Sequence, residues 1–345
     1  MEIKINNLYA GQSVVPGQLF CVLSSVESAT TTTSSQYYKV ILSDKTGTIS
    51  GTLWSNKFTP ATVKVCDDFI TAMKHKKDLM QLNTPEALEE LKKIPPVVVK
   101  VAGSISEYKG KLQLDVASLE IADKNPIDYL YSPISEENAQ KLRRKLGQII
   151  NELEDDEAKA IVHLTLNDPL VSRDFFSFPA AIGHHHAYRY GLLFHTVQVL
   201  VYALKEYDAA KEYHKSLGIS RDLTLLLALF HDLGKIEEYH FFPDNSISYN
   251  DAGTEHQSSS LAIIREILAV HGLRNIYKSL LGKLGKGIYE HHGVFGDEKA
   301  FLNTKCMETL LVHHADNWSA KIAPIMEADV ENFIAFLESF LKDIE

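Results

Sequence analysis

Residues 1–125 read as rich in strands, with apolar and polar positions alternating best around 38–42, the spacing of a half-buried strand. The run Tyr38-Lys39-Val40-Ile41-Leu42 leads into the turn-rich Ser43-Asp44-Lys45-Thr46-Gly47, and a second strand is predicted over 48–54. Another pair is predicted over 97–105 and 112–119, joined by a turn at Tyr108-Lys109-Gly110-Lys111. An early strand over 18–26 makes five. The Thr/Ser-rich stretch 28–35 reads as a mobile loop, and residues 79–93, which contain Pro85, read as one short helix before the fourth strand. Five strands with a helix between the third and fourth is the layout of an OB-fold barrel; another small barrel or a sandwich is the alternative.

Residues 124–134, with Pro126 and Pro133, form a turn-rich joint, after which the period becomes helical. Ser135-Glu136-Glu137 reads as a capped helix start, continued by Leu142, Leu146, Ile149 and Ile150. Further helices are predicted over 157–166, 192–207, 221–229, 258–270, 303–320 and 330–344, with a small hairpin around 241–249. The fold class is therefore multi-domain α+β: an OB-fold-like barrel over 1–125, then an all-α domain over 126–345.

A chain of 345 residues with 45% hydrophobic content can bury two cores. No apolar run reaches the roughly 18 residues of a membrane span, and the polar start MEIKINNLYAGQ resembles no targeting segment. Cys21, Cys66 and Cys306 are odd in number and far apart, which fits a reducing, cytoplasmic setting. The net charge of -10 argues against a protein that coats duplex nucleic acid. Residues 1–125 hold 14 Lys against 13 acids, so any nucleic-acid contact is expected there, or at a bound metal that reverses the local field.

Histidine is the unusual entry in the composition, because 13 of 15 lie after residue 180. His195 follows Gly191-Leu192-Leu193-Phe194, and His231-Asp232 ends the apolar run 225–230 ahead of Leu233-Gly234-Lys235. His256, His291-His292 and Asp316 fall in or beside other predicted helices. Imidazole and carboxylate suit Zn, Mn, Fe, Co or Ni, and ligands from separate helices can converge in a bundle. Adjacent His231 and Asp232 can share one site at a helix end, which Gly234 suggests. A carboxylate can bridge two cations, and such a pair can hold both oxygens of a phosphoryl transfer. Lys235, one turn on, is placed to neutralise a phosphate oxygen. Packing or surface roles are the bland alternative for each histidine singly, and for the clusters 184–186 and 313–314.

The segments GLLFHT (191–196), LALFHDLGK (227–235), EHHG (290–293) and HHADNWSAK (313–321) resemble the HD superfamily of metal-dependent phosphohydrolases, whose fold is all-helical. With HHAYRYGLLFHT (185–196) and the barrel segment YYKVILSDKTGTISGTLWSN (37–56), the chain is similar to the YhaM family of 3′-to-5′ exoribonucleases over most of residues 15–325. That resemblance implies metal ligands at His195, His231, Asp232 and Asp316, joined by His256 and one or both of His291 and His292, with Asp232 bridging. It implies catalytic roles for Asp232 and Lys235, with Lys235 on the scissile phosphate, and substrate contacts from His185, His186 and Arg189. Two divalent ions are implied, manganese first, with cobalt, iron, nickel or magnesium as alternatives. The partner is single-stranded nucleic acid, RNA favoured over DNA, cut to nucleoside 5′-monophosphates; no membrane is involved, and a homo-oligomer is compatible.

In the barrel, Trp54, Tyr37, Tyr38 and Tyr108, near Lys39, Lys109 and Lys111, are candidate base-stacking positions, of which Trp54 and Tyr108 lead. Two departures stand out: Tyr190 occupies a position where Gly is expected, which could narrow the entrance, and 66–96 is long for a link between barrel strands. Rival readings are an HD-type nucleotide phosphohydrolase or cyclic-dinucleotide phosphodiesterase, and a non-catalytic nucleic-acid-binding accessory protein. A strand-holding barrel disfavours the first, and an intact ligand set the second.

Overall fold

The computed structural model describes residues 2–82, 84–130, 132–183, 186–214, 216, 218–250, 255–292, 306–326 and 330–342. Two compact units emerge: Met1–Ser132 with Phe242–Ser246, and Pro133–Phe241 with Ile247–Glu345.

The first unit is built on a closed barrel of β1 (Ser13–Thr30), β2 (Gln36–Asp44), β3 (Gly47–Trp54), β4 (Val98–Tyr108) and β5 (Lys111–Ile121), in the order β1-β2-β3-β5-β4. All neighbours are antiparallel except β3 and β5. The alternation seen in the sequence becomes the inside and outside of this barrel. Tyr38, Val40, Leu42 and Asp44 point inward from β2, while Lys39 and Ile41 point out. Buried Asp44 pins the next turn, accepting from the Thr46 amide and hydroxyl at 2.7 and 2.6 Å and from the Ile5 amide at 2.9 Å. β1 serves both flanking strands because its register shifts between Leu23 and Ser25 and again between Val14 and Leu19. The fold is the expected OB-like barrel.

The stretch 28–35 opens on the last three residues of β1 and is otherwise the connection between β1 and β2, tied by the Ser35 amide donating to Thr31 Oγ1 at 3.0 Å and the Thr31 amide to the Ser35 carbonyl at 2.9 Å. One detail differs from expectation. The single helix expected over 79–93 is two, α1 (Pro60–Leu82) and α2 (Pro85–Leu91), and this insertion accounts for the long link between β3 and β4. Polar Thr62 and Lys76 lie on the buried face of α1 and break its apolar period, so most of its length was not readable. Thr84 caps α2, its hydroxyl accepting from the Ala87 amide at 3.2 Å, with Pro85 in the first helical turn. Lys76 is no solvated charge: its ammonium pairs with Asp244 and donates to Ser246 at 2.9 Å.

The second unit is helical: α3 (Glu136–Asn151), α4 (Asp156–Asn167), α5 (Pro169–Asp174), α6 (Gly191–Tyr213), α7 (Arg221–Phe230), α8 (Lys235–Glu238), α9 (His256–Val270), α10 (Lys278–Glu290), α11 (Met307–Met326) and α12 (Val330–Lys342). The hairpin of β6 (Tyr239–Phe241) and β7 (Ile247–Tyr249) lies near its predicted place. Ser135 caps α3 as read from sequence, accepting from the Asn138 amide at 3.1 Å. α6 is buried on every side from Gly191 to Val201, and α7 from Leu223 to Phe230, so these two helices are the centre of the core. α10 escaped the sequence reading because Gly282, Gly285 and Gly287 read as breakers. Gly287 is there for space: a Cβ would come within 2.3 Å of Leu227, so its absence lets α10 close on α7. Among the described residues no helix is long and apolar enough to cross a membrane.

Tyr190, just before α6, has φ 70°, the left-handed region that favours glycine. Its ring is 7% exposed and belongs to the helical core, and its hydroxyl donates to Glu136. The left-handed backbone costs a side chain about 1–2 kcal/mol, whereas deleting a buried aromatic ring costs about 3–5 kcal/mol. The second effect wins. Tyr190→Gly is expected to lower stability by about 2–3 kcal/mol in denaturant unfolding followed by helical circular dichroism; unchanged or increased stability would contradict this account.

Candidate metal centre

α6 and α7 deliver the first candidate ligands. His195 lies in the second turn of α6, and His231 is the C-cap of α7, so Asp232 stands where the helix ends and the chain turns towards α8. Gly234 makes that turn compact. Its amide donates to Ser260 Oγ at 2.7 Å, and a Cβ there would lie 2.1 Å from the His256 carbonyl. The missing side chain lets the start of α9, with His256 as its first residue, press against the turn. His291 and His292 follow α10, and Asp316 comes from the middle of α11.

These seven side chains form two groups. His195, His231 and Asp316 offer ligand atoms all within 4.8 Å of one another, and so do Asp232, His256, His291 and His292. Asp232 faces both. Its Oδ2 lies 3.2 Å from His195 Nε2 and 3.4 Å from His231 Nε2, and its Oδ1 lies 3.4 Å from His256 Nε2 and 3.9 Å from His291 Nε2. Asp316 Oδ1 is 3.1 Å from His195 Nε2, and its Oδ2 is 3.5 Å from His292 Nδ1.

The far side of each ring decides what the near side can do. His231 Nδ1 donates to the Ala228 carbonyl at 2.9 Å and His291 Nδ1 to the Ile288 carbonyl at 2.6 Å. His195 Nδ1 donates to Ser319 Oγ at 3.0 Å, whose own proton goes to Gln198 Oε1 at 2.7 Å. His256 Nδ1 meets the Glu238 carboxylate at 2.8 Å. With Nδ1 carrying the proton, each Nε2 turns a lone pair inward, the tautomer that binds metal. Two such lone pairs repel when they face each other, yet His195 and His231 place Nε2 atoms 3.2 Å apart; the Nε2 atoms of His256 and His292 also lie 3.1 Å apart. Asp232 Oδ1 and His291 Nε2 are buried without a hydrogen-bond partner. Inward-facing lone pairs and orphaned buried acceptors fit divalent cations and fit a plain hydrogen-bonded core poorly.

Charge follows the same division. Burial alone would raise Asp232, but the Lys235 ammonium, with His231 and His195 close by, holds its carboxyl well below the usual carboxylate range. Asp316 is likewise held low against the effect of burial, chiefly by His195. Burial would depress His195, but Asp232 and Asp316 outweigh it and raise it. His291, buried beside His292 and His231, is pushed well below its ordinary value and stays neutral.

The expected substrate residues are placed less uniformly. Lys235 is 7% exposed and donates to Asp232 Oδ2 at 2.6 Å, so its ammonium is engaged with the bridging carboxylate. His186, expected to touch substrate, is instead fully buried, 5.3 Å from the His195 ring, with Nδ1 3.0 Å from the Tyr188 hydroxyl; it sits behind a ligand. His185 lies outside the described residues. Arg189 is half-buried, its guanidinium 5.1 Å from the Phe241 ring. In the barrel unit Trp54 is 39% exposed and stacks on Tyr37 at 5.0 Å, and Tyr108 is 59% exposed beneath Lys109. Tyr38 is core: it is buried, and its hydroxyl donates to Asp67 at 2.7 Å.

Sequence reasoning missed the residues behind the ligands. Gln198 and Ser319 lie three positions after His195 and Asp316, on the same helix faces, a spacing that could have found them. His313, whose Nδ1 donates to the His291 carbonyl at 2.6 Å, was weighed only as a surface residue. Glu238 carried no signal, because its partner is 18 residues away.

Residues 193–321 match the family model of the HD domain, a span that contains all seven clustered side chains. The chain is 25% identical over 334 residues to the 3′-5′ exoribonuclease YhaM of Geobacillus sp. (strain WCH70), covering 95% of this chain and 83% of that protein. Among solved structures, the second OB-fold domain of replication protein A from Methanococcus maripaludis matches 36% of this chain and 97% of its own at 17% identity, with a TM-score of 0.20. The helical unit of this chain therefore contains a metal-dependent HD domain, and an OB-like barrel precedes it.

Proposed function

We propose that the chain is a metal-dependent 3′-to-5′ exoribonuclease that hydrolyses single-stranded RNA to nucleoside 5′-monophosphates. The observation that carries this is the bridging position of Asp232 between two groups of inward-facing imidazoles. The near full-length similarity to an exoribonuclease supports the substrate class.

In this reading His195, His231 and Asp316 hold one ion, His256, His291 and His292 the other, and Asp232 both. Manganese leads among the ions that such a nitrogen and oxygen set accepts. Divalent cations held by these residues would supply Lewis acidity and water activation for phosphodiester hydrolysis. The chain's own residues do the rest. Lys235 orients Asp232 and adds positive charge where the phosphate must sit, in a region otherwise rich in carboxylates. Ser319, Gln198, Glu238 and the backbone carbonyls fix ring orientation and tautomer. The exposed Trp54–Tyr37 stack and Tyr108 hold upstream bases by sequence-tolerant stacking.

Asp232→Asn should cost more than about a hundredfold in shortening of 5′-labelled RNA, and should lower the metal content of the purified protein. Full activity in that variant would defeat the proposal. Glu238→Gln should weaken one of two manganese-binding events by about 10–100-fold in calorimetry and leave the other in place; two unaltered events would remove Glu238 from the site. Because Asp232 and Asp316 raise His195 above 6.5, protons compete with a cation for its Nε2 up to and beyond that pH. Manganese affinity should therefore climb as pH rises from about 6 to about 8 and fall on the return, and a flat titration would contradict the assignment of His195.

A further inference from the structure

The helical domain is acidic: residues 126–345 hold 21 Lys and Arg against 32 Asp and Glu. Four of those 21 cations, Lys141, Arg143, Arg144 and Lys145, fall within five positions of α3, and no acid occurs between Glu137 and Glu152. The helix sorts them. Ala139, Leu142, Leu146 and Ile149 face the core, while Lys141, Arg144, Lys145 and Gln148 share another face at helical spacing.

Two of the four cations have local work. Lys141 pairs with Glu137 at 3.0 Å, and Arg143 reaches the Phe176 carbonyl at 3.5 Å with its guanidinium 4.9 Å from the Phe176 ring. Arg144 and Lys145 have no carboxylate within ion-pair distance among the described residues. With Lys141, Gly147, Gln148 and Asn151 they line a groove of about 480 Å³.

We propose that this face of α3 binds the phosphate backbone of single-stranded RNA, as a contact surface additional to the metal centre. It rests on the exoribonuclease reading above. The lining of the groove favours a polyanion over an acidic protein, because it offers cations, amides and a glycine. It has none of the aromatic or large aliphatic anchors that make the core of a protein interface. α3 also packs on α6, the helix that carries His195, so this face lies in the same helical unit as the metal-centre residues. Arg144 and Lys145 supply charge without reading base identity, as an enzyme that degrades strands of any sequence requires.

The test is binding of a fluorescent single-stranded oligoribonucleotide in EDTA, which stops cleavage, over a range of salt concentrations. Each phosphate contact contributes about 0.7 to the slope of log affinity against log salt, so Arg144→Gln/Lys145→Gln should reduce the slope by about 1.4 and weaken binding about 25-fold near 0.1 M salt. Lys205→Gln/Lys211→Gln removes the same charge from α6 and should do neither. Manganese-supported hydrolysis of a dinucleotide should stay at the wild-type rate in both variants. If the α3 variant keeps the wild-type slope, or matches the α6 variant, the surface assignment is overturned while the exoribonuclease reading stands. That result would leave an acidic protein as the partner to seek. If wild-type protein neither binds nor shortens RNA, the parent reading fails first and takes this inference with it.

Discussion

Asp232 is buried where a charge could not persist alone, and the rest of the helical unit is arranged around that fact. A carboxylate moved from water into a protein interior loses several kcal/mol of solvation unless cations or donors replace it. Here Lys235 takes one oxygen, two imidazoles approach the same oxygen, and two more approach the other. One side chain thereby faces two groups of imidazoles at once. Everything that fixes its place, the end of α7, the turn at Gly234 and the first residue of α9, is a condition of the chemistry.

The precision of the centre comes from groups that never meet a substrate. Backbone carbonyls of Ala228 and Ile288, one turn back from His231 and His291, set those rings. Ser319 and Gln198 set His195, and a carboxylate sets His256. A ring aimed by a helix carbonyl moves only if the helix moves, which gives a rigid frame without further side chains. His195 and His256 are aimed by side chains instead, His256 by one on α8, and their orientations depend on further rotamers.

Legibility in the sequence followed the strength of local signals. The barrel was readable because alternation in β2 and β3 is strict and their turn is rich in turn formers. α1 was not, because Lys76 and Thr62 face inward and blur the period. α10 was hidden by glycines whose purpose, close approach to Leu227, exists only in three dimensions. The gathering of His195, His231, Asp232 and Asp316 could be expected from the residue types and from the helix end before Gly234. The burial of His186 behind His195 could not, since no local pattern separates a substrate-facing histidine from a supporting one. The carboxylate of Glu238 belongs to the same class: its role is a contact across sequence, with no spacing to announce it.

The two groups of ligands draw on α6, the end of α7, α9, the end of α10 and α11. A cation held there staples together stretches of chain far apart in sequence, much as a covalent cross-link does. Because the unfolded chain cannot assemble such a site, every increment of binding free energy is also folding free energy. With such a cation bound, the lifetime of the helical unit would depend in part on the supply of divalent ions. The barrel packs a core of its own, with Tyr38 and Phe69 among its aliphatic side chains, and contributes none of the seven clustered residues.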